Sequence, residues 1–255
     1  MKTVLKANGL AAGYPKRRVL TEIDAAVGAG TFTALIGANG SGKSTLLRTL
    51  AGVQRPLEGS VEIDGRRPDE MNRRELARSL AMVFTDRSGG GGLTVEETVE
   101  IGRHPYTGLL GRLSADDKAA VAAAIAAVGL KGMEKRLAGT LSDGERQKVM
   151  IARALAQDTP LIILDEPTAF LDVAGRIEIT ALLRRLADNG KTIILSTHDV
   201  SSAIAAADFV WTVDKGAGRA VLSPVSEAVA SGILEKAFPG LRFDKNTLSF
   251  CLSTK

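Results

Sequence analysis

Two spacings of apolar residues alternate along the chain. Thr31–Ile36 and Leu80–Phe84 are strand candidates, and continuous apolar runs bounded by polar residues stand at Leu161–Leu164 and Thr192–Leu195. Such runs read as strands buried on both faces, the pattern of a parallel sheet. Between them, residues 45–51, 173–187 and 200–207 carry helical spacing. This alternation predicts an α/β layered core. The middle differs: Thr94–Ala156 is alanine-rich, helical in pattern and without strand runs. Its clearest helix starts at a Ser114 cap, has Asp116 and Asp117 in its first turn, and stops at Gly129. The apolar stretch inside it, Ala119–Leu130, is too short to span a bilayer. Ser88 and four consecutive glycines after it mark a flexible entry to this part. Beyond Gly216 a hairpin and a short helix are expected, with no motif in them. The chain is thus expected to be one unit. Residues 1–85 and 156–215 form the core, 86–155 a helical insert and 216–255 a C-terminal extension.

Composition narrows this reading. With 255 residues, 45% of them apolar, a sizeable core is available. The net charge of +4 is spread in pairs such as Arg17–Arg18 and Arg66–Arg67, which reads as solvated surface. Attraction to phosphate or to an acidic leaflet is the sharper alternative. No basic run is long enough to argue for nucleic acid. The lone cysteine, Cys251, excludes an intrachain disulfide and a cysteine metal cluster, which fits a reducing compartment. Met1–Ala12 lacks the layout of a signal peptide. The protein is expected to be soluble or peripheral, any membrane part coming from another chain.

The most specific segment is Gly37-Ala-Asn39-Gly40-Ser41-Gly42-Lys43-Ser44, which satisfies G-x-x-x-x-G-K-[ST] between a strand run and a helix run that opens at Thr45. Glycines let backbone N–H groups wrap phosphate oxygens, and the following helix aims its positive end at them. Lys43 would neutralise β/γ oxygens, and the Ser44 hydroxyl can ligate Mg²⁺. The spacing is not that of a dinucleotide fold. A second segment, Leu161–Leu164 followed by Asp165, Glu166 and Pro167, ends a buried strand in two acids. Asp165 can hold Mg²⁺ and Glu166 can orient or deprotonate a water. Acids at a helix start beside Pro167 are the competing explanation.

Further segments follow in an order that resembles the ATP-binding subunits of ATP-binding-cassette (ABC) transporters. Leu141-Ser142-Asp143-Gly144-Glu145 stands where that family has its L-S-G-G-Q signature. Ala169-Phe170-Leu171-Asp172 follows the catalytic acid, and Ser196-Thr197-His198-Asp199 matches the switch-histidine segment. Tyr14 stands where the family stacks an aromatic ring on adenine.

The resemblance implies a P-loop ABC fold: a mostly parallel sheet, an N-terminal antiparallel β part and a helical subdomain. It also implies an ATPase that binds Mg²⁺-ATP between two copies. Lys43, Glu166 and His198 would be catalytic. Tyr14, Gly37, Asn39, Gly40, Ser41, Gly42, Lys43, Ser44 and Thr45 would bind the nucleotide in one copy; Ser142, Gly144 and Asp172 would reach it from the other. Taken alone, Ser142 with Glu145 is also a capping box, Asp172 a helix cap, Tyr14 a turn residue and His198 a structural histidine.

The sequence departs from the family in three places. Thr85 and then Asp86 stand where a metal-contacting glutamine is usual, so that contact falls to Thr85 or Asp86. Asp143 and Glu145 add negative charge to the signature, to be turned away or paired with bases such as Arg146 or Lys148. This predicts a slow isolated ATPase.

Gly102-Arg103-His104-Pro105-Tyr106 before a Ser-capped helix is similar to the ATPases of iron-siderophore, haem and cobalamin importers. That likeness implies a surface for a membrane permease; a helix stop with a surface aromatic is the alternative. A homodimer at the cytoplasmic face of the membrane is expected. A substrate-binding protein would act only through the permease, and no nucleic-acid partner is expected. The rival readings are a soluble ABC switch and a degenerate cassette that binds ATP with little hydrolysis.

Overall fold

The computed structural model describes residues 2–84, 92–108, 111–238, 240–245 and 247–252. In chain order, β1 (Thr3–Tyr14), β2 (Arg17–Gly28) and β3 (Phe32–Ile36) precede α1 (Lys43–Leu50) and β4 (Glu58–Ile63). Then come α2 (Arg73–Ser79), β5 (Leu80–Val83), α3 (Val95–Glu100), α4 (Ala115–Ala127) and α5 (Asp143–Ala156). Next are β6 (Leu161–Asp165), α6 (Val173–Asp188), β7 (Thr192–Ser196), α7 (Val200–Ala206), β8 (Phe209–Asp214) and β9 (Arg219–Pro224). The chain closes with α8 (Val225–Ser231), α9 (Ile233–Ala237), β10 (Leu241–Asp244) and β11 (Ser249–Leu252).

The apolar runs become β3, β5, β6 and β7 of a six-stranded sheet of order β5-β6-β7-β3-β8-β9, with β5 at one edge. Every residue of β3, β6 and β7 is buried, which is why these runs show no alternation. The pairs from β5 through β8 are parallel; β9 adds antiparallel to β8. The extension expected from residue 216 therefore begins inside this sheet. A second sheet, β2-β1-β4, is antiparallel and lies on one face. Leu10, Leu20, Ile23, Leu46, Leu47 and Ile163 share a core between the two sheets and α1. On the other face, Val99, Val121, Ile125, Val149 and Ile151 of the helical part pack with Ile162, Leu164 and Leu183.

The segment 102–107 is fastened by close packing and polar contacts to α2, α4 and the end of α5. Gly102 lies against α5, where an added Cβ would stand 2.3 Å from the Arg153 carbonyl oxygen. Arg103 donates to Asp117 Oδ1 at 2.8 Å and to the Ala156 carbonyl at 2.8 Å. Two guanidiniums lie against the Tyr106 ring, that of Arg103 at 3.9 Å and that of Arg78 at 4.8 Å from its centroid, and the Tyr106 hydroxyl donates to the Gln157 carbonyl. Arg78 donates to the Pro105 carbonyl and Arg74 to that of Thr107, both from α2. Tyr106 is thus not the surface aromatic of the alternative reading: it is half-buried, and within 103–106 only His104 is exposed. Ser114 caps α4 as anticipated, in a reciprocal capping box with Asp117. Most of the glycine-rich entry that begins at Ser88 lies outside the described residues.

Candidate nucleotide site

Parallel strands deliver their loops to one edge, and the strand order decides which loops meet. Because β7 lies between β6 and β3, the ends of these three strands bring together the glycine-rich loop, Asp165–Glu166 and Ser196–His198. This is the crevice outside the carboxyl ends of a parallel sheet, where ligands of such folds bind.

The loop 37–42 is shaped by close approach. Gly42 has φ +106°, and an added Cβ would stand 2.5 Å from Val19 Cγ1. Lys43 opens α1, is buried, and donates to the carbonyls of Gly37 at 2.9 Å and Ala38 at 3.3 Å. Burial pushes its ammonium below the ordinary range, while Glu166 and Asp165 pull it back up. Ser41 Oγ is buried and meets no hydrogen-bond partner among the described residues. A buried orphan hydroxyl is costly, and here it lies among N–H donors and a lysine, a donor set suited to a polyphosphate. Ser44 Oγ donates to Asp165 Oδ1 at 3.2 Å, and Asp165 is only 7% exposed. A hydroxyl and a buried carboxylate in contact are hard oxygen donors that suit Mg²⁺. Tyr14, Asn39, Gly40, Thr45 and Glu166 join Ser41–Ser44 around a cleft of about 300 Å³.

Glu166 and His198 face each other, Nε2 to Oε1, at 2.7 Å. Glu166 adopts φ +51°, a left-handed conformation that a non-glycine residue rarely holds unless its surroundings enforce it. Its N–H is taken by the Ser196 carbonyl at 3.1 Å and by Ser196 Oγ at 2.9 Å. Ser196 Oγ itself donates to Asp165 Oδ1 at 2.7 Å. Ser196 appeared in the sequence only as the opening residue of the histidine segment, because a serine ending a strand carries no signal of its partners.

Ser142, Gly144 and Asp172 do not line this cleft. With Asp143, Glu145, Phe170 and Leu171 they border a separate open groove of about 700 Å³. Both local alternatives are realised there: Ser142 caps α5 in a reciprocal box with Glu145, and Asp172 caps α6 by accepting from the Gly175 N–H at 2.8 Å. Asp143 pairs with Arg146 at 3.4 Å, as expected. Glu145 pairs instead with Arg136 at 3.6 Å, and Lys148 is committed to Glu178 at 2.6 Å. The Ser142 N–H and hydroxyl hold the Glu145 carboxyl below its ordinary range. Thr85 and Asp86 lie outside the described residues.

Fold and cleft define a P-loop nucleotide-binding protein of the α/β class. The family described as ABC transporter matches residues 20–169. The chain therefore belongs to the ABC transporter family, as an ATPase subunit coupled to transport. It is 36% identical over 239 residues to the ferric enterobactin transport ATP-binding protein FepC of Escherichia coli, covering 93% of this chain and 88% of that one. Among solved structures, CbiO1 of Clostridium perfringens, part of the ABC transporter complex CbiONQ, is 28% identical with TM-score 0.80, covering 92% of this chain and 93% of that one. The ATP-binding cassette MJ0796, in a dimeric post-hydrolysis state bound to ADP and Pi, is 27% identical with TM-score 0.73, covering 87% and 98%.

Proposed function

We propose that two copies close face to face on two Mg²⁺-ATP molecules and thereby power an importer of iron-siderophore, haem or cobalamin-type substrates. The observation that carries the closure is the separation of the two surfaces. The cleft around Lys43 and the groove around Ser142 share no lining residue, which supports a signature that serves the nucleotide of another copy. A two-fold arrangement uses both surfaces twice. The dimeric state of MJ0796 supports this reading, and the name of the enterobactin relative supports the substrate class.

In this reading Tyr14 stacks on adenine. The backbone from Gly37 to Gly42, with Asn39, Gly40, Ser41 and Thr45, wraps the phosphates, and Lys43 balances their charge. Ser44 and Asp165 would hold Mg²⁺, which would supply charge neutralisation to the triphosphate. Glu166 takes the proton of the attacking water and His198 orients the water or the γ-phosphate. From the partner copy, Ser142 donates its hydroxyl, Gly144 lets the backbone approach and Asp172 acts across the interface. Loss of the γ-phosphate reopens the pair. We assign residues 86–155 to the helical subdomain and the rest to the core and its extension.

The segment 102–106, in which His104 is exposed, is our candidate for the surface that meets a permease at the cytoplasmic face of the membrane. No helix among the described residues is long and apolar enough to cross a membrane, in keeping with peripheral attachment. A mild-detergent pull-down from native membranes, read by mass spectrometry, tests this. A polytopic membrane protein at a one-to-one ratio is expected. Recovery of only ribosomal or nucleic-acid-associated proteins would refute the importer.

A further inference from the structure

We infer that Ser196 is a positioning residue for the Mg²⁺-binding carboxylate and the catalytic base, joining the two through one hydroxyl. The inference rests on the reading of Asp165 and Glu166 given above.

Ser196 ends β7, the strand between the one that carries the acids and the one that carries the phosphate loop. It is in register with Asp165 on one side and Leu35 on the other. It is 0% exposed. A buried hydroxyl has one proton to give and lone pairs that accept, and here both functions are used. The proton goes to Asp165 Oδ1 at 2.7 Å, and the oxygen accepts the Glu166 N–H at 2.9 Å.

Each contact bears on a chemical requirement. Asp165 Oδ1 accepts from two hydroxyls, those of Ser44 and Ser196. When Ser44 turns its oxygen to a metal, Ser196 is the one of these two that stays on the carboxylate and keeps its orientation. Glu166 holds φ +51°, a conformation that costs roughly 1–3 kcal/mol unless its neighbours enforce it. The hydroxyl and the carbonyl of Ser196 both grip the N–H of that residue. One side chain thus sets the direction of the metal ligand and helps to hold the backbone of the base. Outer partners of metal ligands typically matter at about the 10–100-fold level in metal affinity or activity.

The test compares Ser196→Ala and Ser196→Cys with the parent. ATP turnover is measured against ATP and against Mg²⁺. Separately, the Mg²⁺ concentration that half-maximally raises the melting temperature is measured in saturating ATP. For Ser196→Ala we expect kcat to fall about 10–100-fold and the half-saturating Mg²⁺ concentration to rise about tenfold or more in both assays. The KM for ATP should stay within about twofold, since no phosphate contact is touched. Cysteine, nearly isosteric and a weaker donor, should fall between, and it carries the test by itself if the alanine variant does not fold. An unchanged Mg²⁺ requirement overturns the assignment, whether or not turnover drops. A parent protein that neither hydrolyses ATP nor responds to Mg²⁺ would defeat the functional reading instead.

Discussion

Replacing Asp117 with asparagine tests how Arg103 is anchored at the start of α4. Asp117 accepts from the Arg103 guanidinium at 2.8 Å and from the Ser114 hydroxyl and N–H at 2.7 and 2.9 Å. The two charged side chains are only 10% and 8% exposed. Bonds from Ser114, then from Arg103, hold the Asp117 carboxyl down at about 2, against an ordinary 3.8. A depressed carboxylate stabilises the fold fully above the ordinary value, and that stability is lost as pH falls through the folded one. The difference, at about 1.36 kcal/mol per unit, is worth about 2 kcal/mol at neutral pH.

The amide of the Asp117→Asn variant keeps the shape and can still accept from Ser114, but it leaves Arg103 facing a neutral group. A loss of about 2–3 kcal/mol at pH 7 is expected, toward the low end for breaking a buried pair. In urea, with a slope of about 3 kcal/mol/M, the midpoint should drop by about 0.7–1 M. Circular dichroism at pH 7, 4 and 3 reads it. The gap between Asp117→Asn and the parent should hold at pH 7, begin to close near pH 4 and be clearly smaller at pH 3. A gap that is absent at pH 7, or equal at pH 7 and pH 3, refutes the reasoning.

Two further outcomes concern the site. Glu166→Gln should retain nucleotide binding, cut turnover by about 10²-fold or more as expected for a lost general base, and yield an ATP-dependent dimer by size-exclusion chromatography; monomers at full turnover would remove Glu166 from its role. Glu145→Gln preserves the cap, since glutamine also closes a capping box, but removes a charge that would face the partner's triphosphate. Each unit charge at about 6 Å in water is worth about 0.7 kcal/mol. Half-maximal ATP for dimer formation in the Glu166→Gln background should therefore fall about threefold or more, and no change would mean that Arg136 already neutralises Glu145.

Much of the site was legible before folding because its chemistry is contiguous. A phosphate cradle is one turn of backbone with a lysine at its end, and a glycine pattern followed by Lys43 and Ser44 encodes it without help from the rest of the chain. Asp165 and Glu166 announced themselves as two acids ending an apolar strand. Ser114 with Asp117, and Ser142 with Glu145, were readable as caps because both partners lie within one helical turn.

What the tertiary structure alone decided was which distant groups meet. Strand order is set by the packing of whole layers, and no local pattern states that β7 falls between β6 and β3. That placement turns Ser196 toward Asp165 across 31 residues of sequence and His198 toward Glu166. It equally took the fold to draw Tyr106 inward against Arg78 and Arg103. An apolar run records its own burial because water acts on every residue of it, whereas a lone hydroxyl or guanidinium acquires its partner only when packing brings two separate segments within hydrogen-bonding reach.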